Sequence, residues 1–101
     1  MRTVYNHKQL VKTKDIAKII GDASNVLILY ELMNFGEKSF NELKRMTDIN
    51  AVTLSKKLRF LRAERLVDCR KHGIENHYFV TKKAEGFRPL IKSIESLVIN
   101  T

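Results

Sequence analysis

The sequence predicts a mainly α-helical domain that carries one small β-hairpin. Apolar residues recur with a helical period along most of the chain, and between residues 67 and 80 the period changes to two, as in paired strands. Two short helices separated by about four residues precede this hairpin, which is basic. Helix, turn, helix and basic hairpin follow one another as in a winged helix-turn-helix. The 101 residues, 44% of them hydrophobic, suffice for a single domain over residues 1–101.

The first part of the chain predicts a short helix and then a long buried one. Thr13 is the predicted N-cap of the short helix, which Gly21 ends. The next helix runs from Asp22 or Ser24 to Asn34 and is apolar on nearly every side. Such a distribution is typical of a central helix that other elements cover.

The helix-turn-helix begins with a recognisable start signal. Ser39 and Glu42 have the spacing of a capping box, which predicts a helix that starts at Phe40. Its apolar positions are three residues apart and end at Met46. A turn of about four residues then ends at Asn50, a residue type that caps the next helix well.

The helix from Asn50 to Glu64 has two different faces. Leu54, Leu58 and Leu61 fall in one narrow stripe, which predicts a core face. The residues predicted around the opposite side are Val52, Ser55, Lys56, Arg59 and Phe60.

Residues 67–80 predict the wing, and residues 82–99 predict the last helix. Val67 and Cys69 face one way on the first strand, and residues 71–76 join it to the second strand. Thr81 is the predicted cap of the last helix. The apolar positions of this helix, close to a heptad seam, are Phe87, Leu90, Ile91, Ile94, Leu97 and Val98.

The charge balance indicates a polyanionic partner. Nineteen Lys and Arg against eleven Asp and Glu give a formal net charge of +8, and residues 1–13 are read as a basic arm. This charge suits DNA, RNA or an anionic membrane surface. The longest apolar run, Val26 to Tyr30, is too short to cross a membrane. A single cysteine and a polar N-terminal segment without signal-peptide character predict a cytoplasmic location.

Double-stranded DNA is the predicted partner, because charge and predicted shape agree from Asn50 to His77. The residues predicted to meet base edges in the major groove are Val52, Thr53, Ser55, Lys56 and Arg59. Lys57 and Arg62, on the flanks, are predicted to bind phosphates. The wing residues predicted to reach the adjacent backbone or minor groove are Arg70, Lys71 and His72.

Other functions have weaker support. Cys69, His72 and His77 form the pattern C-x2-H-x4-H, which matches no common zinc site, so no metal or other cofactor is predicted. The sequence contains no motif of a nucleophilic or phosphate-binding enzyme, and we expect no catalytic residues. The alternatives are a protein or RNA adaptor on the winged-helix surface and a metal or effector sensor on the same fold.

The last helix also predicts self-association. It can simply cover the core, but Ile91, Ile94 and Val98 extend beyond the length that a domain of this size needs, so a second copy is expected to bury them. In the resulting homodimer, two copies of helix 50–64 read the half-sites of an inverted repeat about one helical turn apart.

The order of residues resembles the HxlR-type winged-helix transcriptional regulators, relatives of the MarR and ArsR groups, from about Asp15 to Leu97. The matching pieces are Ile20-Gly21, Leu27-Ile28-Leu29, Glu31-Leu32, Ser39-Phe40-Asn41-Glu42-Leu43, Leu54-Ser55-Lys56-Lys57-Leu58-Arg59-Phe60-Leu61, Leu66-Val67, Tyr78-Phe79-Val80-Thr81 and Pro89. The resemblance implies a homodimeric transcription factor whose dimer contacts come from the first and last helices.

Overall fold

In the computed structural model, which describes residue 14 and residues 16–99, helices pack against one end of a small antiparallel sheet. The elements in chain order are α1 (16–20), α2 (Ala23–Phe35), β1 (Lys38–Ser39), α3 (Phe40–Thr47), α4 (Ala51–Ala63), β2 (Val67–His72), β3 (Glu75–Val80), a 3-10 helix (Lys82–Phe87) and α5 (Arg88–Ile99). The predicted arm 1–13 and the Thr13 cap lie outside the described residues. No helix in the described residues has the length and apolar character needed to span a membrane.

Helix α2 is the central element, as predicted. Asp22 is its N-cap, and Asp22 Oδ1 accepts hydrogen bonds from the backbone N–H groups of Ser24 and Asn25, at 2.9 and 3.3 Å. Asn25 and the apolar side chains Ile28, Leu29, Leu32 and Met33 are buried. The prediction of apolar contact on nearly every side was too broad, because Leu27 remains 43% exposed.

Helices α3 and α4 form the predicted helix-turn-helix. The capping box is present: Glu42 N–H donates to Ser39 Oγ, and Ser39 N–H donates to Glu42 Oε1, both at 3.1 Å. Asp48, in the left-handed region with φ 57°, ends α3, and Asn50 Oδ1 caps α4 by accepting from the backbone of Thr53. The predicted apolar face of α3 is shorter than expected, since Met46 near its end is 50% exposed.

The core face of α4 is confirmed, but Phe60 was assigned to the wrong side. Leu54, Leu58 and Leu61 are at most 2% exposed. Phe60 is half-buried and packs against the core. At about 100° per residue it lies on the flank of the leucine stripe with Lys57, not opposite the stripe.

The sheet has three strands where the sequence predicted two. β3 is central and pairs antiparallel with β2 on one side and with β1 on the other, in the order β1-β3-β2. The hairpin is longer than predicted: the strands continue to His72 and from Glu75, which leaves Gly73 and Ile74 as a two-residue turn. Gly73 has φ 64°, a conformation that residues with a Cβ rarely adopt, at the first central position of this turn.

The predicted continuous helix 82–99 is two helices. A 3-10 helix covers Lys82–Phe87, and α5 begins at Arg88, with Pro89 in its first turn where a missing N–H does no harm. Thr81 makes no side-chain cap; its hydroxyl donates instead to the carbonyl of Arg65, at 2.6 Å. Of the predicted apolar seam, Phe87 therefore lies at the end of the 3-10 helix, and the other five residues lie on α5.

Part of the predicted dimer seam belongs to the core of the protomer. Ile91 is 3% exposed and lies in the core cluster, and Phe87 packs against that cluster, so Ile91 is a core residue and not a free contact surface. Leu90 and Ile94 are half-buried. Leu97 is 69% exposed. The side chain of Val98 is not among those that the structure describes.

Candidate nucleic-acid interface

The outward ridge of α4 carries part of the predicted base-reading set. Val52 is 68% exposed, and Lys56 and Arg59 are exposed further along the same side. These residues lie opposite the buried leucines of the helix. An α-helix has the width that the major groove of duplex DNA admits, so side chains on this ridge can meet base edges.

One flank of α4 faces α2 and is occupied by contacts within the protein. Lys57 Nζ donates to Asp22 Oδ2 at 2.5 Å, and both side chains are about one-third exposed. The hydrogen bond from Lys57 is the main reason that the pKa of Asp22 lies below its ordinary value. Lys57, predicted from the sequence to bind phosphate, therefore joins α4 to the N-terminus of α2. Thr53 is half-buried on this same flank.

The other flank of α4 borders a groove that runs beside the sheet. Three depressions follow one another along it, of about 350, 180 and 760 Å³. Ser55 and Tyr78 line both the first and the second depression, and Arg62 lines both the second and the third. The predicted contacts Ser55, Arg59 and Arg62 thus line a row of adjoining depressions, which we call the α4 groove.

The outer face of the wing holds a cluster of polar side chains around Glu37, a residue that the sequence did not single out. Arg70 Nε lies 2.9 Å from Glu37 Oε1, and Arg70 also stacks 4.4 Å from the centre of the Phe79 ring. His72 Nε2 and His77 Nδ1 lie 3.7 and 3.9 Å from Glu37 Oε2. Of the three predicted wing contacts, Arg70 is therefore ion-paired within the protein, and His72 lies beside the same carboxylate.

Lys71 lies on the other face of the wing. Side chains of a strand alternate between faces, so Lys71 shares a face with Cys69 and not with Arg70. Its cross-strand partner Asn76 lines the α4 groove, as does Ile74 in the turn, which is 98% exposed. Lys71 is thus the predicted wing cation on the groove side.

The C-x2-H-x4-H residues are not brought together. His72 and His77 have ring centres 4.7 Å apart on the outer face, whereas half-buried Cys69 is on the opposite face of the same hairpin. Among residue 14 and residues 16–99, no group of three or more His, Cys, Asp and Glu is arranged to hold a metal ion.

Residues 19–100 match the family model described as HxlR-like helix-turn-helix. The chain belongs to the HxlR-like helix-turn-helix family. The match covers both helices of the helix-turn-helix, the wing and α5, and it confirms the resemblance inferred from the sequence. No curated protein is significantly similar to the chain.

Several solved structures, among them a transcriptional repressor, share the fold. The AntR antimony-specific transcriptional repressor superposes with a TM-score of 0.80 at 14% identity, over 98% of this chain and 87% of that one. The oxidised redox regulator HypR gives 0.80 at 21% identity, over 89% and 96%. HlyU from Vibrio cholerae N16961 gives 0.74 at 24% identity, over 91% and 97%. Family and fold are those of DNA-binding transcription regulators.

Proposed function

We propose that this HxlR-like protein is a sequence-specific regulator of transcription that binds double-stranded DNA as a homodimer. The observation that carries the proposal is the exposed ridge of α4, with Val52, Lys56 and Arg59, on the second helix of a helix-turn-helix. In this fold that helix enters the major groove, where Lys and Arg donate to guanine and an apolar side chain contacts the thymine methyl.

The proposed contacts divide into base contacts and backbone contacts. Val52, Lys56 and Arg59 read base edges, with Ser55 beside them on the groove flank. Arg62 and the wing residue Lys71 bind phosphates and set the register of the protein on the duplex. A phosphate contact by Arg70 requires its side chain to leave Glu37, which makes it a secondary contact. His72, beside the same carboxylate, is grouped with it.

The proposed homodimer aligns two copies of α4 with the half-sites of an inverted repeat. Exposed apolar side chains on the first and last helices, Ile16 and Leu97, with Leu27 on α2, supply its contact surface. Such side chains gain stability when a second copy removes them from water. The two copies of α4 then lie about one helical turn of DNA apart.

Selection of bound duplexes from a random pool tests the proposal. An enriched inverted repeat with half-sites about 10 base pairs apart is the expected result. The absence of any enriched sequence, with binding to structured RNA or to a protein, would instead establish an adaptor.

Variants of α4 test the division of roles. We expect Lys56→Ala and Arg59→Ala to cost about 1–3 kcal/mol on the selected site and to relax the preference at particular base pairs. Arg62→Ala should weaken binding to all sequences alike. It should also make the negative slope of log affinity against log salt less steep by about 0.9. A salt-titrated gel shift on selected and scrambled duplexes measures both effects, and equal behaviour of the two groups would refute the assignment.

A further inference from the structure

The far end of the α4 groove carries a basic surface that the proposed contacts do not use. Beyond Arg62, the third depression is lined by Arg65, Lys82 and Lys83, which are all exposed. The single acidic side chain in this lining is Asp68, whose carboxylate lies 3.8 Å from Arg62. We call Arg65, Lys82 and Lys83 the distal cations.

The backbone at this end fixes the position of the distal cations. Arg65 has φ 63°, a left-handed conformation that is uncommon for a residue with a Cβ, and its carbonyl accepts the hydroxyl of Thr81. Lys83 Nζ donates to the carbonyl of Glu64 at 2.9 Å and so satisfies the C-terminal end of α4. This contact explains Lys83 as a helix cap, but Arg65 and Lys82 have no such role among the contacts of the described residues.

The distal cations continue the proposed DNA interface. The depressions of the α4 groove share lining residues from Ser55 to Arg62, about 10 Å along the helix at 1.5 Å per residue, and the last depression continues past the end of α4 to Arg65. Ser55 and Arg59, which are proposed to contact bases, border the near end of this groove. Along these linings five cations outnumber the two acids, Glu75 and Asp68. A mainly basic groove that starts at the proposed base-reading helix matches a single sugar-phosphate strand.

We propose that the α4 groove holds the phosphate backbone of one DNA strand and that Arg65 and Lys82 bind phosphates beyond the bases that α4 reads. This inference rests on the proposed function and extends it to a second, sequence-independent part of the interface. Because phosphates are the same at every step, these contacts raise the affinity for any duplex and leave the preferred sequence unchanged.

The double variant Arg65→Gln with Lys82→Gln tests this groove. Glutamine removes each charge and keeps a long polar side chain, and Lys83 is left intact because it caps α4. The loss of two phosphate contacts should make the negative slope of log affinity against log salt less steep by about 1.8. The affinity should fall by the same factor on selected and scrambled duplexes. The matched control is Lys18→Gln with Lys92→Gln, which removes the same charge from exposed positions on α1 and α5 and should leave the slope almost unchanged.

The outcomes separate this inference from the proposed function. If the wild-type protein selects a sequence but the double variant keeps the wild-type salt slope, the groove inference is wrong and the proposed function stands. A loss of transcriptional output with an unchanged salt slope would likewise overturn it, because the distal cations would then bind an acidic protein. If circular dichroism shows that the double variant misfolds, Lys82→Gln alone provides the test. The salt slope of this single variant should be less steep than that of the wild type by about 0.9.

Discussion

Gly21, between α1 and α2, occupies a position where a side chain has no room. A Cβ on this residue would lie 2.8 Å from the carbonyl oxygen of Ala17, closer than real Cβ contacts, and that oxygen belongs to the backbone. We expect Gly21→Ala to lower the free energy of unfolding by about 1–3 kcal/mol because α1 has to shift. Urea unfolding followed by circular dichroism measures this change.

Gly86 is the matched control for that prediction. A Cβ there meets no atom within 4 Å, and the residue does not require a left-handed φ. Gly86→Ala should therefore be neutral or should stabilise the protein by about 0.4–1 kcal/mol through the unfolded state. Equal losses at the two glycines would show that steric contact at Gly21 is not the cause.

The sequence shows which side chains are charged, but it does not show which of them form ion pairs within the protein. Lys57 and Arg59 look equivalent in a charged helix, yet Lys57 lies on the flank that meets Asp22, 35 positions away. Glu37 gave no signal, because its partners Arg70 and His72 reach it only after β1 has joined the sheet. Pairs that depend on tertiary contact have no local pattern to reveal them.

Between elements, the Asp22–Lys57 pair ties α4 to the start of α2, and its contribution should depend on pH. The pKa of Asp22 is lowered in the folded protein, mainly by the hydrogen bond from Lys57. Stability from this pair is therefore fully present above the ordinary value of 3.8 and is lost as the pH falls through the lowered pKa. Lys57→Met should cost up to about 1 kcal/mol at neutral pH.

Urea unfolding at pH 7 and at acidic pH, down to about pH 2, measures this dependence. The difference between the wild type and Lys57→Met should shrink as Asp22 becomes protonated. Lys56→Met, at the exposed neighbouring position, should behave like the wild type throughout. A Lys57→Met loss that is the same at both extremes of pH would mean that packing of the lysine stem, and not its charge, supports α2.

The element bounds that the sequence predicted well are those with a side-chain signal of their own. Ser39 with Glu42 and Asn50 placed the starts of α3 and α4 correctly. The break near Arg88 was missed because apolar residues three apart suit both a 3-10 helix and an α-helix. Strand β1 was missed because two residues are too few to show a period.

For the whole molecule, the sequence predicted the order of parts and the second helix of the helix-turn-helix, while the proposed interface beside that helix required the folded structure. The α4 groove is made by one flank of α4, the sheet and the segment after β3. Arg65 and Lys82 are 17 positions apart in the chain, and nothing local connects them. They share a surface because β2 and β3 form a hairpin that returns the chain to the end of α4.

The same division into core and free surface makes the proposed homodimer testable on α5. Ile91 is buried within the protomer, so Ile91→Ala should lower the free energy of unfolding by about 2–5 kcal/mol.

Leu97 is 69% exposed, so Leu97→Asp should leave the protomer folded and weaken self-association, as measured by sedimentation equilibrium. Its affinity for an inverted repeat should fall while its affinity for a single half-site is unchanged, because only the paired site uses both copies. Met46→Asp, at an exposed apolar position on α3, is the control for self-association, and an unchanged dimer in Leu97→Asp would exclude Leu97 from the interface.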